Sequence, residues 1–448
     1  MTTTDNDLQS TVDQSLMQPF TTYVQSIEAL VEVVLSSEME SPTLIVANRI
    51  LDGQPSEMLR RSIGINARRS SGAFFSGSNL SEALAGTFTK PLNTNSRVFD
   101  PACGSGDLLL ACAQQLPVGQ DLSDTLEAWG QQLIGMDLYP EFIRATKLRL
   151  ILAAALRTKS VGRKISLNVD SYFPEIRVGN CLADSDNLRS VSHVILNPPF
   201  GLIPTPEQCS WTSGEVSAAA VFMDLVFTKC EQGTDVAAIL PDVLRSGSRY
   251  NKWRERLDRL ADVGEVSIWG RFDPSADVDV FLWQGIVTGD RSLELLSTWG
   301  ASQPENDDVV LESRADISVG SFVPHRERNR GKWHPFIHSK GLPNWGRIDA
   351  ATLPKKRFSG TVFSPPFVVV RRTSRPADSG RAIGTLVIGI RDVAVENHLL
   401  VVRPLDRSVE MCEEVLRLLQ ADETDIWLNE RIRCRHLTVS ALRELPWW

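Results

Sequence analysis

From about residue 71 to 290, short β-rich runs alternate with segments whose apolar positions recur at helical spacing. Arg97–Phe99, Leu133–Met136, Ile176–Val178, His193–Leu196, Asp235–Leu240, Glu265–Trp269 and Val280–Thr288 read as strands. Asp107–Gln115, Pro140–Leu156, Ala218–Lys229 and Lys252–Leu260 read as helices. This alternation predicts an α/β fold, a mostly parallel, doubly wound sheet with helices on both faces. Residues 1–70 read as a mostly helical segment, with near-helical apolar spacing over Val24–Leu35 and a polar turn at Leu51–Ser56. The polar stretch Thr298–Asp308 has no periodicity and reads as a linker. Beyond about 310 the pattern is irregular and β-rich, with a last helix near Val409–Ala421. The expected units are therefore 1–70, 71–295 and 310–448, with no internal repeat.

Composition narrows the class. A chain of 448 residues is long for one core and suggests two or three packing units. Its 42% hydrophobic and 23% charged residues are those of a soluble globular protein. No apolar run approaches the roughly 18–20 residues that cross a bilayer, so no membrane association is expected. Met1–Ser15 is polar and acidic, unlike a signal peptide. Seven cysteines without CxxC or Cys/His spacing argue against a disulfide framework or a structural zinc, and no metal site is expected. A reduced, cytoplasmic protein is the reading. The net charge of −8 hides an asymmetry: Ser321–Arg381 holds thirteen basic residues and three acids, +10, which leaves −18 elsewhere. A basic module on an acidic body is the electrostatic footprint of a polyanion binder. A solvated basic face, or one docked on the acidic body, gives the same count.

Three motifs carry chemistry. Val98-Phe99-Asp100-Pro101-Ala102-Cys103-Gly104-Ser105-Gly106 runs from a strand through a glycine turn into the apolar helix at Leu108. Such a turn lets backbone approach a ligand and aims free N–H groups at it. The spacing is neither GxGxxG nor a P-loop, which argues against pyrophosphate. Ile134-Gly135-Met136-Asp137 ends a second strand on an acid suited to two ribose hydroxyls. Either piece alone also fits an ordinary turn. In His193-Val194-Ile195-Leu196-Asn197-Pro198-Pro199-Phe200-Gly201 the prolines end the strand near Asn197. They fix the Asn197 side chain and the Pro198 carbonyl in direction, leaving Phe200 at the mouth of the site. Read alone, this is a rigid strand exit.

Taken in order, Asp-Pro-Ala-Cys-Gly-Ser-Gly, the acid and Asn-Pro-Pro-Phe resemble the adenine-N6 class of DNA amino-methyltransferases, in the gamma-type motif order. Ser71-Gly72-Ala73-Phe74-Phe75-Ser76 is similar to the family segment that covers the methionine end of S-adenosylmethionine, with Ser76-Gly77 in place of Thr-Pro. The resemblance spans about 70–290. It implies a Rossmann-like catalytic domain and a C-terminal target-recognition domain. It also implies cofactor contacts from Phe75, Ser76, Asp100, Ala102, Gly104, Gly106 and Asp137, with Asn180 in the slot where an acid usually meets the adenine. Asn197, Pro198, Pro199 and Phe200 are the implied catalytic residues. Phe272, after Gly270-Arg271, falls where an aromatic stacks on the second face of a flipped base; a core position serves it equally well.

The Asn-Pro-Pro-Phe chemistry has its own physical account. An adenine amino group is a poor nucleophile because its lone pair is delocalised into the ring. Two acceptors, the Asn197 side-chain oxygen and the Pro198 carbonyl, can hold both N–H groups and aim the lone pair at a methyl donor. Phe200 stacks the base once it leaves the duplex. No strong general base is required, and the six histidines are left out. Protein-glutamine and some RNA guanine methyltransferases use a similar turn. Against them stands the large basic C-terminal module, where Arg371, Arg372, Arg375, Lys355 and Lys356 are the candidate DNA contacts. Glu430–His436, if extended, would add three arginines on one face. The resemblance thus implies a site-specific methyltransferase on double-stranded DNA in a restriction–modification or phage-defence system, nucleoid-associated when bound. A cognate restriction endonuclease or another defence subunit is open as a partner, as is a partner-dependent modification subunit.

Overall fold

The apolar runs of the middle region become one sheet. Its strands are β1 (Val98–Asp100), β2 (Leu133–Asp137), β3 (Ile176–Val178) and β4 (His193–Leu196). A separate two-stranded sheet, β5 (Leu202–Pro204) with β6 (Glu215–Ser217), follows. Then β7 (Asp235–Pro241), β8 (Ala261–Asp273) and β9 (Ala276–Val287) complete the large sheet in the order β3-β2-β1-β4-β7-β9-β8. The first five strands of that order run parallel, and β9 is antiparallel to both neighbours. The doubly wound expectation is borne out. The computed structural model describes residues 14–36, 41–64, 68, 74–158, 169–273, 276–290, 299, 309–324, 330–374, 376, 378–433 and 436–448. No helix among them is long and apolar enough to cross a membrane.

Two departures from the sequence reading have local causes. β8 is much longer than Glu265–Trp269 because register shifts at Val263/Glu265, Ile268/Gly270 and Arg271/Asp273 break its two-residue alternation. The helix Leu122–Gln132, which the pattern did not reveal, contains Gly130. A Cβ there would lie 1.8 Å from the Tyr172 carbonyl oxygen, so packing demands a residue that helix propensity disfavours. Thr298–Asp308 lies outside the described residues, Trp299 aside.

The described residues divide into two compact units, one of Met1–Pro241 with Lys252–Ser297, the other of Asp242–Asn251 with Thr298–Trp448. In the first, helices Gln14–Ser36, Ser41–Leu51 and Gln54–Ser62 pack onto the sheet domain. Phe20, Ile27, Val31 and Leu59 join one buried cluster with Phe142, Leu148 and Leu152 of helix Pro140–Thr158. Within that helix Arg149 is fully buried. Its guanidinium donates to the carbonyls of Ile50 (3.0 Å), Leu51 (3.1 Å) and Ser105 (2.5 Å) and to Asp107 Oδ1 (2.8 Å).

In the second unit a five-stranded sheet comprises β10 (Ala315–Val319), β12 (Arg347–Asp349), β14 (Phe367–Arg371), β15 (Gly384–Ile388) and β17 (Leu399–Pro404). A three-stranded sheet has the order β13 (Lys355–Phe358), β11 (Lys332–Ile337), β16 (Ala394–Val395). Alternation along β14 and β17 feeds two cores. Val368, Val370, Leu400 and Val402 face Val415, Leu418 and Leu428 of the C-terminal helices. Phe367, Val369, Leu399 and Val401 face Phe363, Val387 and Val393. The extended reading of Glu430–His436 fails at its start. Glu430 and Arg431 close helix Asp422–Arg431, where Arg431 pairs with Glu444, while Arg435 lies outside the described residues. A three-acid first turn favours that helix.

Replacing Arg149 by Met keeps bulk but strands Asp107, which is only 8% exposed. Unfolding free energy in urea is expected to fall by about 3–5 kcal/mol, the range for a buried ion pair that loses one partner. A change within about 0.5 kcal/mol, the level of a neutral surface substitution, would show the pair to be dispensable.

Candidate active site

β1 is flanked by β2 and β4, so the chain order reverses there. In doubly wound sheets such a switch point opens a crevice beyond the carboxyl ends of the strands. Asp100 closes β1, Asp137 closes β2 and Asn197 follows β4, so all three motifs arrive at that edge.

Asp137 organises the turns around itself. Its Oδ2 accepts the Gly104 N–H (2.9 Å) and its Oδ1 the Tyr139 N–H (3.1 Å). Gly104 and Gly106 have φ of 52° and 88°, which glycine adopts without strain. A Cβ on Gly104 would sit 3.0 Å from the Phe75 ring, and one on Gly106 2.7 Å from Thr146, whose hydroxyl donates to the Gly104 carbonyl. Asp100 is buried; Oδ1 accepts the Ala102 N–H (3.1 Å) and Oδ2 has no hydrogen-bond partner. Burial above all holds the Asp100 carboxyl well above its ordinary pKa, and Asp137 and Asp107 push the same way. Burial likewise raises Asp137 from 3.8 to about 6, against three backbone N–H bonds that oppose the shift.

Asn197 is half-buried and held by the segment before helix Ser78–Ala85. Its Nδ2 donates to Ser76 Oγ (3.1 Å) and lies 3.4 Å from the Phe74 carbonyl oxygen. A carbonyl only accepts, so the group facing it is the amide NH2. Oδ1 is thereby turned the other way, free to accept. Three aromatic rings gather beside it: Phe272 meets Phe200 at 5.7 Å and 75°, and Phe74 at 6.3 Å and 82°. These are edge contacts, so Phe272 buttresses Phe200 and does not lie parallel to it across a base-wide gap.

The expected residues are therefore brought together unevenly. Asp100, Ala102, Gly104, Gly106 and Asp137 form one turn cluster, and Asn197, Pro198, Pro199, Phe200 and Phe272 a second. Ser76 belongs with the second by its bond to Asn197. Phe75 is buried against Phe20 and Phe142 and backs Gly104. Asn180 is exposed, and its Oδ1 already accepts the Leu182 N–H (3.1 Å). In the second unit Lys355 and Lys356 are exposed on β13. Arg371 donates to the Leu342 carbonyl (2.8 Å) and Arg372 to that of Leu437 (3.4 Å), while Arg375 lies outside the described residues. Sequence reading missed the Asp107–Arg149 pair behind the glycine turn, although Arg149 is the single charge within the apolar run Leu148–Ala155.

The large sheet is thus doubly wound and Rossmann-like, with an amide and a stiff proline turn at its switch point. Residues 53–257 match the sequence model of the N-6 DNA methylases. No curated protein matches it in sequence. Among solved structures, the type IIL restriction-modification enzyme MmeI, determined in complex with DNA, is similar over 88% of this chain and 70% of its own (11% identity, TM-score 0.54). The type IIG restriction endonuclease BpuSI matches over 90% and 60% (14%, 0.44). A modification subunit of a type I restriction enzyme from Vibrio vulnificus YJ016 matches over 56% and 51% (18%, 0.39). At 11% identity the likeness to MmeI is one of fold, and the chain spans about half of the Vibrio subunit and three fifths of BpuSI.

A carboxyl raised to about 6 when folded binds its proton more tightly than in the unfolded chain. Its contribution to stability is full below about pH 4 and is lost as pH rises through about 6. Asp137→Asn removes this titration. The stability advantage of the parent over the variant is expected to shrink between those values in urea unfolding, and a constant difference across the window would contradict the assignment.

Proposed function

We propose that the chain is a site-specific DNA methyltransferase that places a methyl group from S-adenosylmethionine on the N6 of a flipped-out adenine. Its setting would be a restriction–modification or phage-defence system acting on DNA in the cytoplasm. One observation carries this reading: the amide of Asn197 is fixed by Ser76 and Phe74 so that its oxygen is the free end. An amino group entering beside Phe200 would donate one N–H to that oxygen and the other to the Pro198 carbonyl. Both bonds draw the nitrogen lone pair out of the ring, and positioning and electrostatics supply the acceleration. Phe200 gives the extruded base a stacking surface, which offsets part of the few kcal/mol lost on unstacking.

The residues at the β1–β2 edge fit the cofactor. Asp137 is half-buried and can accept ribose hydroxyls. Leu138 and Val178 are 49% and 47% exposed although apolar, and Val178 is the ladder partner of Asp137, so they offer walls for a flat ring. Gly104 and Gly106 keep the turn free of side chains. When bound, S-adenosylmethionine supplies an electrophilic methyl group on a sulfonium. In this account Ser76 is a positioning residue for Asn197.

Modification-aware sequencing of genomic DNA from cells expressing the chain is the direct test. N6-methyladenine confined to one short sequence is expected, and absent with Asn197→Ala while S-adenosylhomocysteine binding persists. Ser76→Ala should lower kcat about tenfold, as for one lost orienting hydrogen bond, with KM for DNA little changed. Ser76→Thr, which keeps the hydroxyl, should restore most of it. Undiminished methylation by the Asn197 variant would overturn the mechanism.

A further inference from the structure

The three-stranded sheet of the second unit gathers cations and large exposed apolar side chains at one end. β11 and β13 are antiparallel, and β11 and β16 parallel, so the start of β11, the close of β13 and the loop entering β16 share that end. The Asp392 carbonyl oxygen, 3.4 Å from the His334 ring, confirms that the 389–392 loop lies beside β11. Gathered there are Lys332, Trp333, Arg357, Ile390 and Arg391, all exposed. Trp333 is 60% and Ile390 100% exposed. Neither β11 nor β13 contains an acid. The loop's Asp392 accepts a hydrogen bond from Ser364 at 2.6 Å.

The two faces of this ribbon differ. Phe336 and Phe358 close a small core with Phe322, and the Lys356 ammonium sits 4.3 Å from the Phe336 ring centre. Trp333 is ladder partner to Arg357, whose guanidinium lies 5.7 Å from the indole. Here the arginine is stacked on an exposed ring, whereas Arg371 and Arg372 are turned to backbone carbonyls of their own unit.

We propose that this sheet end, with Lys332, Trp333, Arg357, Ile390 and Arg391, is a duplex-DNA contact of the second unit. The inference rests on the DNA methyltransferase reading and adds to it the surface that meets the duplex. Three cations against the one carboxylate of Asp392 leave a net positive charge, and phosphates are the ligand that such a surface selects. A two-stranded ribbon fits the major groove, where an indole and an isoleucine meet base edges and thymine methyls. An exposed isoleucine at a loop tip is also the kind of wedge that inserts at a base step. Scattered exposed apolar residues are ordinary, but two of the largest on one cationic strand end match a ligand that is anionic outside and apolar within.

The test is binding of the full chain to a short duplex across a salt series, by fluorescence anisotropy. Arg357→Ala/Arg391→Ala is expected to lower the log–log salt slope by about 1.8, two phosphate contacts at about 0.9 each. Trp333→Ala/Ile390→Ser should weaken binding about tenfold with the slope unchanged, since it removes only apolar contact. Both pairs are exposed, and unchanged thermal unfolding and S-adenosylhomocysteine affinity show that the fold is intact. Unaltered DNA affinity and slope in both double variants, with genomic methylation persisting, would overturn this contact and leave the methyltransferase reading standing. The expected losses in a chain that makes no N6-methyladenine would do the reverse. Parent protein that binds anionic phospholipid vesicles through these residues, and duplex DNA without them, would also overturn the proposal.

Discussion

A single buried cation ties the candidate site to the rest of the first unit. Arg149 is wholly removed from water, a position that a guanidinium tolerates only if nearly all of its donors are satisfied and its charge is met. Asp107 meets the charge, and the carbonyls of Ile50, Leu51 and Ser105 take the remaining bonds. The second Asp107 oxygen accepts the Gly77 N–H at 2.8 Å. One residue before Gly77 is Ser76, whose hydroxyl holds the Asn197 amide. The end of an N-terminal helix, the glycine turn and the Asn197 amide are thus linked through a run of hydrogen bonds. The N-terminal helices are on this view part of the machinery that fixes Asn197, because they supply carbonyls without which Arg149 could not be buried.

The second constraint is electrostatic. Asp100, Asp107 and Asp137 crowd the glycine turn, yet among the described residues only Asp107 has a cation in contact. Asp137 relies on backbone N–H groups and Asp100 on one such bond with an oxygen left over. Burial therefore raises both, and like charge adds to the shift at Asp100. A turn that gathers acids around glycine N–H groups is poorly suited to phosphate. It is well suited to hydroxyls, or to a ligand with positive charge. This agrees with the absence of GxGxxG spacing and points away from dinucleotides for a reason independent of the motif.

Much of this was legible before any coordinates. Ile176–Val178, His193–Leu196, Asp107–Gln115 and Ala218–Lys229 have in the structure the bounds that periodicity assigns. Each is a short run closed by turn-forming residues or by a change of period. What stayed hidden was where long polar side chains go. A count of arginines cannot tell Arg357, stacked on Trp333, from Arg371, bound to a carbonyl, or from Arg431, paired with Glu444. The same limit hid Arg149, which in sequence is one charge in a helix, and the packing of the Phe75 ring as a wall behind Gly104. Ser76 was legible as a hydroxyl in the place where the resembling motif has Thr, but its partner was not, because the bond to Asn197 spans 121 residues.

Net charge leads to a final step. A protein of −8 repels a polyanion at long range, so the proposed association with DNA would depend on local cations acting within a Debye length of about 8 Å. In the region 321–381 the balance is +10, yet several of its arginines are spent on internal bonds. Arg381, for example, is fully buried and donates to the Ile432 carbonyl at 2.9 Å. The cationic surface is consequently smaller than the composition suggests. Few phosphate contacts give a shallow salt dependence, and more of the affinity then has to come from apolar and base-edge contact. Such contact distinguishes sequences, whereas phosphate contact does not. A module built this way trades tight non-specific binding for selectivity, as the proposed modification of one short site among many would require.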